Sequence, residues 1–101
     1  FKTAVNLAIT PESVFVEGQE IYQLRKGGEL QQRHAESRSI RIVTRAVRKA
    51  WDAKQKEDEE DDEQVVVVQA DKGLPYRTLH TVMRSAAKAG FFRYRLVVEK
   101  E

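Results

Sequence analysis

Hydrophobic and polar residues alternate along the first quarter of the chain. Val5, Leu7 and Ile9 fall on one side of an extended segment, with Asn6 and Ala8 on the other. That period of two is the mark of a half-buried strand. Thr10-Pro11-Glu12-Ser13 reads as a turn. Val14-Phe15-Val16, β-branched and aromatic, predicts a second short strand that ends at Glu17-Gly18. Gln19–Leu24 alternates again, with Ile21 and Gln23 opposite Tyr22 and Leu24. Connections this short allow only antiparallel or bent neighbours, so the segment predicts a three-stranded meander.

The pattern breaks over Arg25–Arg38. Gly27-Gly28 and the polar stretch Gln31-Gln32-Arg33-His34 predict a flexible loop at residues 25–38 containing a helical turn. Ser37 or Ser39 then supplies an N-cap. Ile40, Val43, Val47, Ala50 and Trp51 recur at spacings of three and four, one apolar stripe on a helix of about four turns. Trp51 is expected in the core. A second flexible loop is expected over residues 56–64. Val65–Val68 follows, four consecutive valines that predict a strand covered on both faces. Asp71-Lys72-Gly73 ends it. Pro75 suits the first position of a helix, where its missing N–H costs nothing. Tyr76, Leu79, Met83 and Ala86 form that helix's stripe, with Val82 beside it. Tyr76 reads as a core residue, with a surface anchor as its alternative. Gly90 stands where a left-handed C-cap residue belongs. Phe91-Phe92 is expected to plug the core or a neighbouring surface. In a closing strand, Tyr94, Leu96 and Val98 alternate with Arg93, Arg95 and Val97.

The order β-β-β-α-β-α-β predicts a single α+β domain over residues 1–101. Right-handed crossovers put both helices on one face of a sheet of about five strands. The other face is left to water or a partner.

Composition narrows the function. The 101 residues carry 18 Lys+Arg and 16 Asp+Glu, a net charge of +2. The charge is uneven: residues 1–50 are net +4, 51–63 net −6 and 64–101 net +4. Seven acids in a row, Glu57 to Glu63, read as a solvated loop. They lack the glycine turn and the ligand spacing of a calcium loop. The longest apolar run has four residues, against roughly 20 for a membrane span. No signal-peptide pattern is present. The only methionine is Met83 and the first residue is Phe1, so a processed or excised chain is expected.

The absence of cysteine excludes disulfides, zinc thiolates and thiol nucleophiles. His34 and His80 are the only side chains that titrate near neutrality, and both read as ordinary surface residues. With no metal-ligand spacing, no nucleophile elbow and only Gly27-Gly28 as a phosphate-loop candidate, neither an enzyme nor a cofactor is expected. Arg41, Arg45 and Arg48 make a helical ridge, but the acidic run opposes a polyanion, so nucleic acid is not the expected partner. Asp71 reads as a turn residue that accepts amide hydrogen bonds, or as a partner contact at the strand end.

Val65–Val68, Gln69-Ala70-Asp71-Lys72-Gly73-Leu74-Pro75 and Tyr76, then Leu79, Val82-Met83, Ala89-Gly90 and Leu96-Val97, stand in an ordered spacing. This combination resembles the signature of the ExbD/TolR family. Residues 64–99 carry the likeness well and residues 5–24 loosely; residues 25–38 and 56–64 look longer than the usual connections. The resemblance implies the periplasmic domain of a single-pass bacterial inner-membrane protein. Such a protein is part of a proton-driven motor with an ExbB/TolQ-like subunit. It implies a homodimer and a TonB/TolA-like periplasmic partner, or peptidoglycan. The family's proton-carrying aspartate belongs to a transmembrane helix absent from this sequence, so no motor residue carries over.

The residues expected to form a dimer or partner edge are Arg93, Tyr94, Arg95, Leu96, Val97 and Val98. An edge strand there offers unpaired backbone groups to a second copy or to an extended peptide. The alternatives are a peptidoglycan-binding anchor and a ferredoxin-like nucleic-acid-binding domain.

Overall fold

In the computed structural model, which describes residues 4–57, 65–91 and 93–99, the strands are β1 (Ala4–Ile9), β2 (Ser13–Val16), β3 (Gln19–Gln23), β4 (Val65–Asp71) and β5 (Arg93–Glu99). The helices are α1 (Arg41–Glu57) and α2 (Tyr76–Lys88). The strands form one sheet in the order β3-β2-β1-β4-β5. β1, β2 and β3 pair antiparallel as a meander, while β4 runs parallel to both β1 and β5. The α+β architecture and its element order match the sequence expectation. The expected loop over residues 56–64 lies outside the described residues from 58 onward, as does Phe92; Lys56 and Glu57 extend α1.

One face of the sheet makes the core. Val5, Leu7, Ile9, Val14, Tyr22, Val66 and Val68 are buried there against Ile40, Val43, Val47 and Trp51 of the α1 segment and Val82 and Ala86 of α2. α1 lies over β1, β2 and β3, α2 lies over β4, and the two helices touch. Trp51 and Phe91 meet edge to face at 5.5 Å beneath them.

Residues Ala86–Phe91 explain how α2 stops. Phe91 N–H donates to Ala86 O and Gly90 N–H donates to Ala87 O, with Gly90 at φ +100°. These two bonds make a Schellman motif, and it drops Phe91 into the core at 1% exposure. The β2–β3 turn also uses positive φ, at Glu17 (+53°) and Gly18 (+80°). A non-glycine residue there is strained by about 1–2 kcal/mol. Glu17 offsets this with a carboxylate that accepts from Asn6 N at 2.6 Å and pairs with Lys54 Nζ at 2.8 Å. Burial alone raises the Glu17 pKa, but the Lys54 and Asn6 bonds outweigh it and hold the carboxyl below its ordinary value. Lys54 also donates to Ala4 O at 2.6 Å, so α1 is stapled to the sheet.

Several local expectations are corrected. The N-cap of α1 is Ile40, whose carbonyl accepts from Thr44 N–H, and neither Ser37 nor Ser39 takes that position. Ile40 is needed in the core, and its own N–H is held by Ser85 Oγ at 2.8 Å. Pro75 is the N-cap of α2, one residue earlier than expected. The buried face of α2 is Thr78, Thr81, Val82, Ser85 and Ala86. Tyr76 is 77% exposed and stacks on His80 at 5.6 Å. Small residues face inward because α1 packs close at this point: Thr44 Oγ1 donates to Ser85 O at 2.8 Å.

Residues 25–38 fold as two single 3₁₀ turns against the body. Leu30 is buried, and Thr78 Oγ1 donates to Gly28 O at 2.7 Å. Gly28 has φ +79°, and a Cβ there would meet Leu74 Cδ2 at 2.9 Å and Pro75 Cδ at 3.2 Å. Gly28→Ala is therefore expected to lower the unfolding free energy by about 1–3 kcal/mol, from overpacking and left-handed strain together. Urea denaturation monitored by Trp51 fluorescence measures it, and an unchanged midpoint would contradict the packing described.

Candidate functional site

The two outer strands differ in how their edges are treated. At the β3 edge, Gln31 Nε2 donates to Gln23 O at 2.9 Å, and the β2–β3 register shifts between Val14 and Phe15. A side-chain cover and a bulge are both devices that blunt an edge. At the other edge, β5 pairs in register with β4 from Val65↔Arg93 to Asp71↔Glu99. Among the described residues β5 has no strand on its far side.

All six residues expected to form a partner edge, Arg93 to Val98, lie in β5. Tyr94 is half-buried and its hydroxyl donates to Met83 O at 3.0 Å, which ties the start of the strand to α2. Burial raises its pKa above the ordinary tyrosine value. Further along, Leu96, Val97 and Val98 are 45%, 46% and 49% exposed. Leu96 and Val98 share the helix-side face with Val68 and Ala70, while Val97 is paired with Gln69 on the opposite face. The apolar surface therefore wraps both sides of the edge.

Asp71 ends β4. Its Oδ1 accepts from Gly73 N at 2.7 Å and its carbonyl accepts from Leu74 N–H. Tyr76 lies on the exposed face of α2 and is not gathered with Asp71 into a site. Among the described residues no three His, Asp or Glu side chains come together as a metal site. None of their helices is long and apolar enough to cross a membrane.

The family model for ExbD, described as Biopolymer transport protein ExbD/TolR, matches residues 2–101. The chain belongs to the ExbD/TolR family. Comparison with curated proteins and comparison with solved structures each give no match. ExbD/TolR proteins are non-enzymatic biopolymer-transport subunits of the inner membrane with periplasmic domains, and they generally work with ExbB/TolQ and TonB/TolA partners. In this chain the ExbD/TolR domain ends in an edge strand with an apolar margin.

The sequence reading missed a second feature of this ExbD/TolR domain. Beside β3, a groove of about 480 Å³ opens between the 3₁₀ turns and the start of α1. Arg33, His34, Arg41, Arg45 and Ile42 line it, so two of the three ridge arginines reach it and Arg48 does not. His34 is half-buried, a correction to its reading as an ordinary surface residue. Tyr22 Oη accepts from Gln31 N–H at 3.1 Å and lies 2.8 Å from His34 Nδ1. The Tyr22 proton is then best donated to a neutral imidazole. The polar sequence around His34 hid this, because its partner Tyr22 lies in a different element.

Burial, with the Arg33 charge second, lowers the His34 pKa below its ordinary 6.5. The folded chain thus resists a proton that the unfolded chain accepts. The resulting stability is fully present above pH 6.5 and is lost as pH falls through the folded value. Stability is expected to drop on acidification from pH 7.5 to 5, and His34→Gln should flatten that slope. Urea midpoints across the range test it; identical slopes for both chains would contradict the assignment.

Proposed function

We propose that this chain is the periplasmic load-transmitting domain of a proton-driven inner-membrane motor, and that it grips a second copy or an extended partner peptide by strand addition along β5. Family membership supports the setting. The observation that carries the grip is β5 itself: one side paired with β4, no strand on the other among the described residues, and Leu96, Val97 and Val98 about half exposed.

The physics favours such a use. A new strand satisfies outward backbone groups in one ladder, and hydrogen bonds in a ladder share a pulling load. Covering three half-exposed aliphatic side chains adds roughly 2–4 kcal/mol. Side chains above and below the edge supply selectivity at alternate positions. Tyr94 and its bond to Met83 keep the strand aligned while its second half engages.

Successive residues of an edge strand direct their amides alternately inward and outward. Of Leu96→Pro and Val97→Pro, one therefore removes an outward donor and leaves the β4 ladder whole. That variant is expected to fold, to sediment as a monomer where the parent chain is a dimer, and to lose partner binding. A folded variant that still dimerises and still binds would rule out strand addition at β5.

A further inference from the structure

We propose that the groove between β3 and the start of α1 is a second binding site, which takes an acidic peptide segment carrying apolar side chains, supplied by another protein. The groove lies beside β3, at the opposite edge of the sheet from β5. The inference does not depend on strand addition there.

Its charge is positive on balance. Arg33, Arg41 and Arg45 line it, and among the described residues none of the three is in an ion pair. The acid on its wall, Glu20, is already engaged: its carboxylate accepts from Ser13 Oγ and from Gln23 Nε2. Arg33 is set in place by its Nε bond to Gln31 Oε1 at 3.0 Å. The neutral donors on Glu20 leave its charge in place, but three guanidinium groups outnumber it, so the concavity keeps a positive balance that a further anion meets. Planar carboxylates match their donor forks.

The helix sharpens this. The first turn of α1 contains no acid, and Arg41 is its first residue. The amides of a first turn have no helical acceptors, and the dipole there is positive. Arginine at that position opposes the helix's own preference, a local conflict of the kind found at functional sites. A carboxylate seated between Arg41 and Arg45 relieves it.

The groove is also partly apolar. Ile42 is 49% exposed on its rim, with Ile21 and Ile40 beside it. A peptide with apolar residues among its acids uses both features. A nucleic acid is disfavoured, since Tyr22, the only aromatic ring besides His34 in the lining, is 4% exposed and offers no stacking platform. A flat membrane surface does not reach into a concavity.

The test is fluorescence anisotropy on the full chain, with a labelled peptide of about ten residues in which Glu and Asp alternate with Leu. Binding is expected, weakening as salt rises. Arg41→Glu with Arg45→Glu should lose at least about tenfold in affinity, the scale of a charged hydrogen bond. Arg33→Gln is a milder probe of the same loss should the double variant unfold. Arg48→Glu, on the same helix outside the groove, should stay within about twofold. No binding at low salt would overturn the proposal, as would an equal loss from Arg48→Glu. An oligonucleotide of matched charge that competes equally well would also overturn it, showing an unspecific basic surface.

Discussion

Five strands at about 4.8 Å spacing make a sheet roughly 24 Å wide, and two helices about 10 Å across cover roughly 20 Å of it. That geometric shortfall governs the domain. α1 spans β1, β2 and β3 and α2 lies over β4, so among the described residues the uncovered width falls on β5. A strand left without a helical roof keeps apolar residues in water, and Leu96 and Val98 are about half exposed although they share a face with the fully buried Val68. The proposed grip follows from this constraint, because a second strand extends the sheet and shields both faces of the exposed margin.

The position of α2 decides how large the margin is. Ser85 and Thr44 bind across the α1–α2 contact, and Ser85 also donates to Thr81 O. Small residues at this contact let the helices approach closely and hold α2 beside α1 and over β4. Leu79 and Met83 then stand half-buried at the boundary, and Tyr94 reaches across to Met83 O. Among the described residues β5 is thus anchored at its start and half exposed toward its end.

Much of this was legible from apolar spacing. The strand patterns in residues 5–24, the Ile40–Trp51 stripe and the Gly90 cap all have structural counterparts, because each is a local rule obeyed locally. The face of α2 was not legible. Thr78, Thr81 and Ser85 are buried, the Thr78 hydroxyl bonded to Gly28 O and the Ser85 hydroxyl to Thr81 O, and buried polar residues of this kind look like surface positions in a sequence. Tyr76, assigned inward by spacing, is displaced by them. The 25–38 segment was opaque for a related reason: Leu30, Tyr22, His34 and Thr78 are joined only by tertiary contacts. Of the candidate edge, its place in a closing strand was readable. Its position beside β4 depends on strand order, which one sequence does not specify.

The proposed grip requires that a partner strand pair with the far side of β5, where no strand lies among the described residues. Residue-resolved amide hydrogen exchange, on the chain diluted to monomer and again with a partner bound, tests it most directly. Amides are expected to alternate between slow and fast along residues 96–99 in the free chain, and the fast set to become protected in the complex. Uniform protection of β5 in the free monomer, or an alternation that the bound partner leaves unchanged, would contradict it.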